Sequence, residues 1–128
     1  MRLHDGKELE LLLSDAKPLA AFSFYQGADE IEILGRQDFA SAVELGQLLR
    51  FDKLTPFDDA FVCHILFVRP QEAWRAPAYM QLIDFMYRRS WCAHLEWIQG
   101  SLLGYSDKEN SDHIRKKYGK AGKNISCE

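Results

Sequence analysis

Apolar residues recur along this chain with different periods, and each period predicts a different kind of element. From Phe61 to Val68 the run FVCHILFV is interrupted only by His64 and closed by Pro70, which predicts a strand buried on both faces. A short buried helix is the alternative there, because periodicity alone does not separate the two. Leu19 to Tyr25 is apolar and aromatic between Pro18 and Gly27, while Glu30 to Leu34 alternates acid with isoleucine. Those two segments predict a hairpin joined across Gln26 to Asp29, with Ile31 and Ile33 facing inward.

Helical spacing appears elsewhere. Asp5 and Glu8 form a capping-box pattern ahead of Leu9, Leu12 and Leu13, predicting a first helix from about Gly6 to Asp15 that Pro18 stops. The competing reading makes Asp5 and Gly6 a turn and Glu8 to Leu11 a strand. Asp38 is placed to cap a helix running to about Arg50, with Phe39, Ala42, Val43, Leu45 and Leu49 as its apolar stripe. Gly46 then falls inside that helix, at a cost of about 1 kcal/mol relative to alanine. Lys53 to Asp59, which contains Pro56, reads as a connector.

The dominant helix is expected from Ala78 to about Leu103. That stretch lacks proline, lacks glycine before Gly100, and repeats Met80, Ile83, Tyr87, Trp91, His94, Ile98 and Leu102 at helical spacing. Leu82, Phe85, Met86, Leu95 and Trp97 widen its apolar face beyond a single stripe. Gly104 fits the position just past the helix end, and Ser106 with Glu109 forms a capping box for a last helix reaching Tyr118 before Gly119.

These elements add up to an α+β fold. Its expected form is a small three-stranded, largely antiparallel sheet packed against helices, dominated by one long helix in the C-terminal half and followed by a short capped helix. An all-α fold is the alternative. Residues 1–119 are expected to form a single globular domain and residues 120–128 a loose tail.

Composition narrows the class without naming an activity. The chain has 128 residues, 47% hydrophobic and 27% charged, as ordinary globular domains do. No apolar stretch approaches the roughly 20 residues of a membrane span, and no signal-peptide pattern opens the chain. Cys63, Cys92 and Cys127 form an odd set without Cys-x-x-Cys spacing, so a reducing, cytoplasmic location is expected. The net charge of −3 is uneven: Met1 to Val62 holds 12 acids and 6 bases, and Cys63 to Glu128 holds 7 acids and 10 bases.

Candidate chemistry is sparse. Cys63 and His64 would point to opposite faces of a strand, and Cys92 and His94 lie about 200° apart on a helix, so the four cannot share one metal. No local motif supports a cysteine nucleophile. An inward Glu96 beside Trp97 would have a raised pKa suited to proton transfer, against the plainer reading of a solvated helix face. Glycine-rich phosphate loops are missing. No catalytic residue, metal or cofactor is therefore assigned, and an enzyme is the less favoured class.

The expected function is a non-catalytic binding or protein-interaction domain, with self-association as the simplest partnership. Trp74, Tyr79, Arg88, Trp91, His94 and Trp97 are the candidate ligand or partner surface, because large aromatics with polar handles dominate interface energies. The first alternative is a small-molecule-binding protein or small enzyme, with a pocket between sheet and long helix using His64, His94, Glu96 or Arg88. A nucleic-acid accessory role through Arg115, Lys116, Lys117, Lys120 and Lys123 ranks behind both. No membrane partner is expected.

Overall fold

The computed structural model describes residues 5–88 and 91–119. The chain divides into two compact units, Met1–Ala76 and Pro77–Glu128. The architecture is α+β, with a three-stranded antiparallel sheet and six α-helices among the described residues.

In the N-terminal unit the elements run α1 (Glu8–Leu13), β1 (Leu19–Tyr25), α2 (Glu30–Ile33), α3 (Phe39–Glu44), β2 (Leu49–Phe57) and β3 (Ala60–Val68). The sheet order is β1-β3-β2, so the most apolar strand is central, as its sequence predicts. Leu19 of β1 pairs with Val68 and Tyr25 with Val62, while Leu49 of β2 pairs with Val68 and Phe57 with Ala60. Ala20, Ile65 and Phe67 form the sheet side of a core whose other side is Leu12, Leu34, Phe39, Ala42 and Leu48. Burying each such large side chain is worth about 1.5–3 kcal/mol, which fixes the three short helices over this face.

Several elements differ from their sequence expectation. Glu30 to Leu34 is not a strand: Asp29 accepts a hydrogen bond from the Ile31 N–H at 3.0 Å and starts the one-turn α2. Acidic Glu30 and Glu32 suit that helix start, and β1 finds its partner in β3 instead. The helix capped by Asp38 ends early, at Leu45, where Gly46 takes φ +77°. The Gln47 N–H donates to the Ala42 carbonyl at 2.9 Å and the Gly46 N–H to that of Val43 at 3.0 Å, the reciprocal pair of a Schellman stop. Gly46 is thus a terminator, and the chain beyond it becomes β2. Lys53 to Phe57 is strand, and only Asp58 and Asp59 turn. The first helix begins later than expected, with Lys7 at its N-cap and no side-chain cap, so Asp5 and Glu8 make no capping box.

The C-terminal unit begins within α4 (Arg75–Met86), followed by α5 (Ala93–Leu102) and α6 (Asp107–Tyr118). The single long helix is therefore two. Cys92 is extended, at φ −154° and ψ 175°, and restarts the helix at Ala93. Cys92 is buried and disulfide-bonded, whereas the Cys63 thiol is free. At the end of α5, Gly104 takes φ +95° and the Tyr105 N–H reaches the Gly100 carbonyl at 2.9 Å. The capping box of Ser106 and Glu109 opens α6, with the Glu109 N–H 3.1 Å from Ser106 Oγ and the Ser106 N–H 2.8 Å from Glu109 Oε1. The expected tail, residues 120–128, lies outside the described residues. Among the described residues no helix is long and apolar enough to cross a membrane.

Candidate binding groove and a buried carboxylate

Two arrangements stand out, one in each unit. In the N-terminal unit a groove of about 650 Å³ runs between α2, α3 and the sheet. Its floor is aromatic: the rings of Phe39 and Phe67 stack with centroids 4.1 Å apart and planes 9° from parallel, and Phe22 meets Phe39 edge-on at 5.6 Å. Leu34 and Val43 line the sides, and Ile31 stands at the rim, 64% exposed. Phe39 and Phe67 are nearly fully buried beneath it, so Ile31 is the large apolar group that this groove presents most openly to solvent.

Charges ring this groove. Arg50 passes over Phe67, its guanidinium carbon 5.9 Å from the ring centroid. It donates to Asp52 at 2.8 and 3.0 Å and to Glu30 at 3.2 and 3.3 Å, so hydrogen bonds to these two carboxylates hold its pKa above the ordinary arginine value. Arg36 is paired with Glu32. Asp38 accepts from the Ser41 hydroxyl at 2.6 Å and from the Ser41 N–H at 3.1 Å, which lowers its pKa. Both rim cations are neutralised, and Glu44 has no partner among the described residues, so the rim is electronegative.

In the C-terminal unit Glu96, 6% exposed on α5, is the acceptor for four side chains. Trp91 Nε1 donates at 2.9 Å, Lys117 Nζ at 2.7 Å and Tyr118 OH at 3.0 Å, and His113 Nε2 contacts the second carboxylate oxygen. Burial alone would raise the carboxyl pKa, but the hydrogen bonds from Lys117, Trp91 and His113 and the charge of Lys117 outweigh it and hold Glu96 at about 2. Burial and the neighbouring carboxylate push Tyr118 up to about 12. A carboxylate so stabilised keeps its charge and is a poor proton donor at neutral pH. A cleft of about 340 Å³ lies beside it, lined by Met86, Trp91, Glu96, Gln99 and Lys117.

The six residues expected from sequence to form an aromatic surface differ in burial and in partners. Trp74 belongs to the N-terminal unit, exposed, with the Arg75 guanidinium 4.7 Å from its ring. Tyr79 is buried and its hydroxyl accepts from Gln99 Nε2 at 2.9 Å. Arg88 and His94 are exposed, and Trp97 is half-buried. Trp91 alone of the six joins the carboxylate. His113 and Tyr118 were not among the expected site residues, Lys117 entered only as part of the basic C-terminal stretch, and no groove residue was expected. His64 is buried on β3, its Nδ1 2.7 Å from the Ser23 hydroxyl, with burial and then the charge of Lys53 lowering its pKa. Among the described residues no cluster of His, Cys, Asp and Glu is arranged to hold a metal ion.

Comparison with protein-family models, curated proteins and solved structures gives no match.

Proposed function

We propose that this chain is a non-catalytic protein-binding module whose partner surface is the groove of the N-terminal unit. The observation that carries this reading is the groove itself, with its stacked aromatic floor, exposed Ile31 and electronegative rim. Apolar anchors inside a polar rim are the anatomy of an interface. The state of Glu96 adds weight, because the most heavily perturbed carboxylate in the described chain is saturated with donors and kept ionised. The partner is a segment presenting a bulky apolar side chain between basic residues.

The cytoplasmic location expected from cysteine usage is not part of this proposal, because Cys92 is disulfide-bonded and such bonds persist mainly in oxidising compartments. A test is titration of ¹⁵N-labelled protein with the peptide acetyl-Lys-Leu-Phe-Lys-Leu-Leu-Lys-amide. Shifts should centre on Ile31, Leu34, Val43 and Phe67, and Ile31→Lys should weaken binding at least tenfold with Tm unchanged. Shifts centred on Gln99 and Lys117 would instead move the site to the Glu96 cleft and favour a small-molecule protein.

A further inference from the structure

The two edges of the sheet are built differently. The Gln26 N–H donates to the Phe61 carbonyl at 2.9 Å and the Arg69 N–H to that of Pro18 at 3.2 Å. These bonds bracket β1 and set its hydrogen-bond phase: Ala20, Phe22 and Phe24 pair with β3, and Leu19, Ala21, Ser23 and Tyr25 turn their backbone groups to the outer edge. The same phase turns Arg50, Asp52, Leu54 and Pro56 of β2 outward. β2 is thereby guarded, with charged residues along its edge and Pro56, which has no N–H, at one outward position.

β1 has no such guard. Its sequence LAAFSFY contains neither charge nor proline. At Ala21 and Ser23 the outward N–H and C=O groups have no hydrogen-bond partner among the described residues. Ser23 is exposed and Ala21 half-buried. A cleft of about 330 Å³ lies along this edge, lined besides Ala21 to Ser23 by Asp5, Gly6, Glu8, Ile33, Gly35 and Gln37. A Cβ built at Gly6 would meet nothing within 4 Å, which leaves room there for a backbone to approach, and Glu8, which accepts from Gln37 Nε2 at 3.0 Å, makes the wall acidic.

From this geometry we infer that β1 takes up an extended segment of another protein as a fourth strand, hydrogen-bonded at Ala21 and Ser23. Two N–H and two C=O groups at a two-residue repeat match an extended backbone and no other secondary structure. The acidic wall selects the occupant: the segment carries a basic residue opposite Glu8. The surrounding unit reinforces this, with 13 acids against 8 bases in Met1–Ala76. The two clefts share Gln37, but Ala21 and Ser23 line only this one and Ile31, Val43 and Phe67 only the groove, so either can fail without the other.

The probe is acetyl-Lys-Val-Thr-Val-Thr-Val-Lys-amide, with two versions N-methylated on alternate residues so that one or the other backbone edge loses its donors. At saturation the Ala21 and Ser23 amides should exchange with solvent at least tenfold more slowly, while Phe22 and Phe24, already bonded to β3, change little. One N-methylated peptide should bind at least tenfold more weakly than the other. Ala21→Pro, which deletes an outward donor only, should weaken binding by a similar factor, and Glu8→Gln should lessen its salt dependence. Equal binding of the two N-methylated peptides, or unchanged exchange at Ala21 and Ser23, would overturn the inference. So would dimerisation without peptide that Ala21→Pro abolishes, since the occupant would then be a second copy.

Discussion

Glu96 shows how much one side chain can be asked to hold. Two oxygens accept from Trp91, Lys117 and Tyr118 and contact His113, so α5 and the last turns of α6 meet on a single charge. Its folded pKa of about 2 lies below the ordinary 4.5, so protonation favours the unfolded chain. The stability this group supplies is complete above about pH 5 and drains away as pH falls toward 2. Urea unfolding midpoints measured across that range should decline in the wild type, and Glu96→Gln should remove most of the decline. Glu96→Leu should cost about 3 kcal/mol at pH 7, since buried donors on Trp91 and Tyr118 lose their acceptor. Lys117→Met should cost under about 1 kcal/mol, because Lys117 is half exposed.

From sequence Glu96 reads as part of a solvated helix face, with a raised pKa only if it turned inward; it is in fact buried among donors, and the reason is rotational. On one unbroken helix, Trp91 and Glu96 would stand about 140° apart and could not meet. The extended residue at Cys92 resets that phase, and neither proline nor glycine announces it. His64, by contrast, lies in the run expected to be buried on both faces, and it is buried there, with its Nδ1 2.7 Å from the Ser23 hydroxyl.

At the level of elements, the stops matter as much as the stretches. Gly46 and Gly104 do the same work, each at positive φ after a helix and each followed by the reciprocal backbone pair of a Schellman end. Gly104 was readable because a capping box follows it at once. Gly46 was not, because Leu48 and Leu49 continue a helix-compatible pattern past it. No atom lies within 4 Å of a Cβ built at Gly46, so Gly46→Ala meets left-handed strain without a clash. A loss of about 1 kcal/mol is expected, measured by thermal or urea unfolding. An interior helical glycine would give the opposite sign.

β2 was hidden for a related reason. Its burial alternates weakly and it carries Pro56, which argues against a central strand but suits an edge with that position turned outward. β3, apolar but for His64, was legible at nearly its full length. The groove was invisible from sequence because Ile31, Phe39 and Phe67 come from three separated segments, one of them misread as a strand.

Across the whole molecule, charge is divided by unit. Met1–Ala76 carries 13 acids and 8 bases, and Pro77–Glu128 carries 6 acids and 8 bases. A basic partner is thus drawn to the N-terminal unit from a distance, and its association rate should fall as salt is raised from 50 to 500 mM, with dissociation changing less. Stopped-flow measurement with either cationic peptide separates the two rates. If dissociation carried the whole salt effect, steering by the unit's charge would be the wrong account.

The unlike edges of the sheet bear on what sizes of assembly are possible. A fibre or a ring needs every member to offer two complementary sides, one to give and one to receive. Here Pro56 and the charges of β2 make one side blank, while β1 remains receptive. A subunit of that kind is a terminus and not a link. Such subunits cannot string together through their sheets, however high their concentration.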